Sequence, residues 1–217
     1  MFLSGVLAFL FHDMPITAFF GPFFIILAAL PSYYAFSSSK NWKVLLGSLI
    51  FLGFFMEILS MNTGFPYGFF SYGEGMGPKV LGVPFTLAFA WPPLVLGAYY
   101  TMQRTSYPVL GTMLLLVLID LVLDPVAVLL GHWEWSVDGF WYGVPLSNFV
   151  GWLLTGFIAA KITEYSGGIG KYGSFSVLLL LSFWVGVSAV SNMLIPFVLG
   201  LALWGVILFE TVSQESS

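Results

Sequence analysis

Residues 110–130, LGTMLLLVLIDLVLDPVAVLL, form a membrane-length apolar run that carries two aspartates, Asp120 and Asp124. A hydrocarbon core of about 30 Å takes about 20 apolar residues to cross. A carboxyl near its middle is costly, so by default it marks a functional site. Residues four apart on a helix share one face. Two carboxyls held together in low dielectric do not both ionise easily, so one of the pair is expected to keep its proton at neutral pH. Pro125 has no backbone N–H, and its ring crowds the carbonyl of Leu121. The helix is therefore expected to kink there and to free a carbonyl beside the two acids.

Six further runs approach the same length, giving seven candidate spans at roughly 16–36, 42–60, 83–102, 107–130, 145–160, 175–190 and 193–209. Only 7% of the 217 residues are charged, against about 25% in soluble domains, which leaves little mass outside a membrane. The expected fold is all-α: a polytopic integral membrane bundle of about seven transmembrane helices, with residues 1–217 forming one transmembrane domain. Ser191 and Asn192 are read as a tight hairpin, because about 35 residues would be too long for one span. Lys40, Lys43, Arg104, Lys161 and Lys171 fall on one side of such a bundle and Lys79 on the other. The side richer in Lys and Arg is expected to be cytoplasmic, which puts the amino terminus outside and the carboxy terminus inside. The opening segment, MFLSGVLAFLFHDMP, lacks a basic n-region and is read as an interfacial part of the mature chain.

With only six Lys and Arg and a net charge of −4, the chain has no basic patch to neutralise phosphates, and nucleic acid is not expected as a partner. Cysteine is absent, which excludes disulfides, thiol catalysis and cysteine metal sites. The two histidines, His12 and His132, are too few for a histidine-rich di-iron site. No nucleotide-binding motif occurs, and no cofactor or metal is called for.

Two loops, 62–84 and 131–145, mix aromatics with Gly and Pro, and both end in Gly-Val-Pro. Trp and Tyr suit a membrane interface, and Gly and Pro supply turns. The repeated ending hints at pseudo-symmetry between two halves. With alternating spans, Glu57, Asp120, Asp124, Asn148 and Trp152 meet in one half of the bilayer under these loops, near Trp91 and the Pro92–Pro93 pair that interrupts the third span. Glu74, Glu134 and Asp138 are expected to be solvated. Acids set among aromatics suit a proton-initiated reaction on an apolar substrate. A carboxylic acid protonates an isolated alkene, aromatic faces stabilise the cation, and a second carboxylate deprotonates an attacking water.

The runs 64–91 and 120–152 resemble the carotenoid biosynthesis membrane-protein family, which includes bacterial carotenoid 1,2-hydratases and the archaeal bisanhydrobacterioruberin hydratase. The motif positions are Glu57, the Pro-Tyr-Gly of residues 66–68, Gly-Val-Pro at 82–84, Trp91, Asp-x-x-x-Asp-Pro at 120–125, Trp133 and Trp135, and the run from Tyr142 to Trp152. Tyr67 departs mildly from the phenylalanine expected there. The resemblance implies cofactor-independent addition of water to the terminal isopropylidene double bond of an acyclic carotenoid, through a tertiary carbocation. On that reading Asp124 donates the proton, and Asp120 and Glu57 tune it or activate water. Tyr67, Tyr72, Trp91, Trp133, Trp135, Tyr142, Asn148 and Trp152 contact substrate. The partners are the bilayer and a carotenoid dissolved in it, with other carotenoid enzymes or a second copy as candidate protein partners. A cyclase or isomerase would begin with the same protonation, and a carotenoid or lipid carrier would use the acids structurally. A retinal protein is disfavoured because the last two spans lack lysine, and a transporter because the polar cluster has no counterpart in the other half.

Overall fold

A computed structural model describes the backbone over residues 15–37, 41–165 and 173–216, with residues 3 and 6, and the side chains of the first helix from residue 22 onward. The amino-terminal interfacial segment, His12, Lys40 and Lys171 lie outside the described residues. Seven helices coincide with the seven expected spans: α1 Pro15–Ser37, α2 Trp42–Thr63, α3 Leu87–Met102, α4 Pro108–Leu129, α5 Leu146–Tyr165, α6 Phe175–Val190 and α7 Leu194–Glu215. Of these, α2, α4, α5 and α7 are long and apolar enough to cross a membrane by length and composition, and α6 is apolar but shorter. The chain is an all-α membrane bundle.

The apolar run that carries Asp120 and Asp124 forms α4, which packs against α3, α5, α6 and α7. Its closest partner is α5. Gly156 allows that approach, since a Cβ there would lie 3.3 Å from a Leu116 methyl, and small residues are how membrane helices come together. The last two helices form the expected hairpin, turning at Ser191–Met193.

Two boundaries differ from the sequence reading. The third helix begins at Leu87 because Lys79–Val80 (β2) and Val83–Pro84 (β3) pair as a short hairpin. The last helix runs to Glu215 because its end is tied down: the Gln214 side-chain amide donates to the carbonyls of Tyr100 (3.0 Å) and Thr101 (3.3 Å) near the C-terminus of α3.

The repeated Gly-Val-Pro has a concrete basis. Leu81 and Gly82 have φ of 52° and 87°, and Tyr142 and Gly143 have φ of 52° and 88°. Each pair forms the centre of a two-residue turn with both residues left-handed, as in a type I′ hairpin. Val80 pairs with Val83 across the first turn and Trp141 with Val144 across the second. The motif thus ends a hairpin and delivers the chain into a helix, once before α3 and once before α5.

Prolines inside α3 and α4 leave carbonyls that the helix itself cannot satisfy. Pro125 frees the carbonyl of Leu121, which accepts from the indole N–H of Trp141 at 2.9 Å. Pro92 likewise frees the carbonyl of Ala88, which accepts from the Tyr33 hydroxyl of α1. Trp141→Phe keeps the ring and removes the donor. It is expected to cost about 1–2 kcal/mol, seen as earlier thermal unfolding in detergent.

Candidate active site

One end of the bundle is roofed by the two aromatic loops, which pair as an antiparallel ribbon. Phe70–Tyr72 (β1) lies against Trp133–Trp135 (β4), with Phe70 opposite Trp135, Ser71 opposite Glu134 and Tyr72 opposite Trp133. Side chains alternate along a strand. Phe70, Tyr72, Trp133 and Trp135 therefore face the bundle and line a cavity, while Ser71 and Glu134 point outward and are exposed. The ribbon depends on close backbone approach, since a Cβ at Gly73 would sit 2.0 Å from the carbonyl oxygen of Gly131. Glu74 and Asp138 are exposed, as expected.

Below the ribbon lies a cavity that is open at its mouth. Its walls come from six helices. Trp91 of α3 and Trp152 of α5 stack with ring centres 6.2 Å apart, and the Tyr67 ring centre also lies 6.2 Å from that of Trp152. Tyr67 is firmly held: its N–H donates to Ser60, its carbonyl accepts from Ser147 at 2.8 Å, and its hydroxyl donates to Thr155 at 3.1 Å. A Cβ at Gly151 would meet the Tyr67 ring at 2.4 Å, so α5 needs glycine there to seat the tyrosine.

The acids converge on this aromatic box. Asp124 and Glu57 line it, and Asp120 is buried one helical turn behind Asp124. The side-chain nitrogen of Asn148 donates to Asp120 at 2.7 Å and to Asp124 at 2.5 Å. One amide from α5 thus clasps both carboxyls of α4. Across the cavity, the Tyr72 hydroxyl donates to Glu57 at 3.0 Å. Burial, with the Glu57 carboxyl beside it, holds the Tyr72 hydroxyl well above the usual phenol range, so it remains a donor.

Ten of the eleven residues singled out in the sequence belong to this one constellation. Tyr142 does not: as the first residue of its left-handed turn it is 38% exposed and packs edge-on against Trp141, away from the cavity. Conversely, Phe70, His132 and Trp184 line the site without having been singled out. Phe70 was discoverable from strand alternation with Tyr72. His132 had been weighed only as a metal ligand. Trp184 lies in a span whose three serines form no stripe to mark its inward face. Among the described residues, no three His, Asp or Glu side chains are grouped so as to hold a metal ion.

The family model described as "Carotenoid biosynthesis protein" matches residues 14–207. The chain belongs to the carotenoid biosynthesis protein family. Every wall of the cavity lies inside the matched stretch. Over 119 residues the chain is 41% identical to a Haloarcula japonica protein named bisanhydrobacterioruberin hydratase, an alignment covering 51% of this chain and 40% of that protein. This carotenoid biosynthesis protein therefore aligns with less than half the length of that relative. No solved structure matches it.

Proposed function

We propose that the protein is a carotenoid hydratase, adding water to the terminal isopropylidene double bond of an acyclic carotenoid to give a tertiary alcohol. The observation that carries this reading is a pair of acids clasped by one amide, of which Asp124 faces an aromatic cavity inside a membrane bundle. An isolated alkene offers no charge or hydrogen bond for recognition, so a site that activates it needs a strong proton donor and walls that tolerate a cation. Asp124 is positioned for the first task and the faces of Trp91, Trp152, Tyr67 and Trp133 for the second. Family membership and the named hydratase relative support the same chemistry.

In this scheme Asp124 delivers its proton to the CH carbon of the double bond, and positive charge develops on the dimethyl-substituted carbon. Asn148 and Asp120 hold Asp124 in place and respond to its change of charge. Glu57, kept in position by Tyr72, presents a second carboxyl to the cavity. No cofactor is invoked. The cavity accepts an end group, and the polyene extends through the mouth toward lipid. We place the cavity end outside the cytoplasm: Lys43, Arg104 and Lys161 lie at the opposite helix ends and Lys79 beside the ribbon.

The test is expression in a host that accumulates an acyclic carotenoid, with pigments resolved by liquid chromatography and mass spectrometry. A product heavier by one water per reacted end is expected. A product of unchanged mass with altered retention would replace hydration by cyclisation or isomerisation, and unaltered pigment would leave a carrier.

A further inference from the structure

Hydration needs a second reactant, the water, and a place to hold it. Among the described residues, five buried side-chain polar atoms have no hydrogen-bond partner: the indole nitrogens of Trp91, Trp135 and Trp184, Nδ1 of His132, and one oxygen of Asp120. The four nitrogens all belong to residues that line the cavity, and the oxygen belongs to the acid pair behind it. Buried polar groups are ordinarily paired, and each exception calls for an explanation. Here the exceptions surround a single space.

Two of them are neighbours. The imidazole of His132 and the indole of Trp184 meet edge to face with ring centres 6.2 Å apart. An indole nitrogen only donates, and an imidazole nitrogen without its proton only accepts. Water is the smallest molecule that serves both, accepting from one and donating to the other. Each carboxyl already accepts one bond through a single oxygen, Asp120 and Asp124 from Asn148 and Glu57 from Tyr72, whereas His132 Nδ1 and the indole nitrogens accept or donate none. Burial also pushes His132 down to about 4, which keeps the ring neutral and able to accept near neutral pH. His132 is fixed by its backbone: its N–H donates to Ala127 and its carbonyl accepts from Gly73 of the roof, both at 2.9 Å. Gly75 lies against the ring, where a Cβ would come 3.4 Å from Nδ1.

Resting on the hydratase reading, we infer that His132 and Trp184 form the subsite for the nucleophilic water, with His132 Nδ1 as the base that takes its proton. The step balances. Asp124 gives its proton to the alkene CH carbon, the water oxygen forms the bond to the tertiary cation, and one water proton passes to His132. The imidazolium then returns that proton to the Asp124 carboxylate through the new hydroxyl or solvent. The net change is alkene plus water to alcohol. Two groups at different parts of one cavity thus divide acid from base, and the carboxyls are spared the second role.

The experiment uses membranes containing the full chain and an acyclic carotenoid, suspended in D₂O. Wild type is expected to give alcohol carrying one carbon-bound deuterium per hydrated end. His132→Phe keeps an aromatic ring of similar size and is expected to lower alcohol formation about 100-fold. Its recovered hydrocarbon, as the starting end group or the isopropenyl isomer, is still expected to acquire deuterium, because the cation forms and then loses a proton. A purely structural histidine would not separate these two readouts. Trp184→Phe, which removes only the N–H, is expected to lose alcohol about 5- to 10-fold, the worth of one hydrogen bond, with labelling retained. Alcohol formation by His132→Phe within about twofold of wild type would overturn the assignment. So would loss of alcohol and label together in His132→Phe while Trp184→Phe matches wild type. A wild-type protein that makes no alcohol would overturn the hydratase reading itself, and the water subsite with it.

Discussion

Asp124→Asn is expected to slow alcohol formation by at least about 100-fold, the usual worth of a positioned general acid. The substitution preserves shape and leaves Asn148 a carbonyl to bond, so the protein should still accumulate in membranes. It removes the acidic proton, so in D₂O the carotenoid should acquire no deuterium either. Asp120→Asn makes a useful contrast. Asp120 shares Asn148 with Asp124 but lies behind the cavity wall. Its replacement is expected to cost about tenfold, through the setting of Asp124, and to leave labelling measurable. Full activity in both variants would remove the acid pair from the mechanism.

Asn148→Leu is the second substitution with a large expected effect. It is close to isosteric, yet it strips the donor from two buried carboxyls at once. An unsatisfied buried polar group costs about 1–3 kcal/mol, so earlier thermal unfolding should accompany about a 100-fold loss of hydration. The two effects can be separated by a double-mutant cycle. If Asn148 acts through Asp124, its replacement in an Asp124→Asn background should cost less stability than in wild type, with a coupling of about 0.5–3 kcal/mol. Additive losses would instead assign Asn148 to helix packing alone.

The spans and the acids were legible because the bilayer imposes a strict code. Length and apolarity announce a helix, and a carboxyl such as Asp120, Asp124 or Glu57 inside one stands out against it. Knowing which helix ends meet was enough to bring Asn148, Trp152 and Trp91 to the same place. Facing within the apolar helices was not legible. A helix such as α6 offers no polar stripe to show that Trp184 turns inward, since its Ser176, Ser182 and Ser188 bond within or between helices and mark no face toward the cavity. The loops failed in the other direction. Tyr142 looked like its neighbours Trp133 and Trp135, but it sits at the left-handed centre of a separate turn and does not line the cavity. Trp141, beside it, has a role that only Pro125 explains, since one residue removes a backbone donor and the other supplies its replacement.

The ribbon over the cavity also says something about how such a chain tolerates change. Its inward and outward faces carry opposite chemistry: four aromatic rings below, Ser71 and Glu134 above. A strand has a period of two, so shifting one strand by a single residue exchanges its faces. Slipping the Trp133–Trp135 strand by one residue would therefore turn Glu134 toward the cavity and the two indoles toward water. The spacing of these loops, counted in residues, is under tighter constraint than the identity of any one ring, and natural variation here should take the form of exchanged aromatics at fixed length.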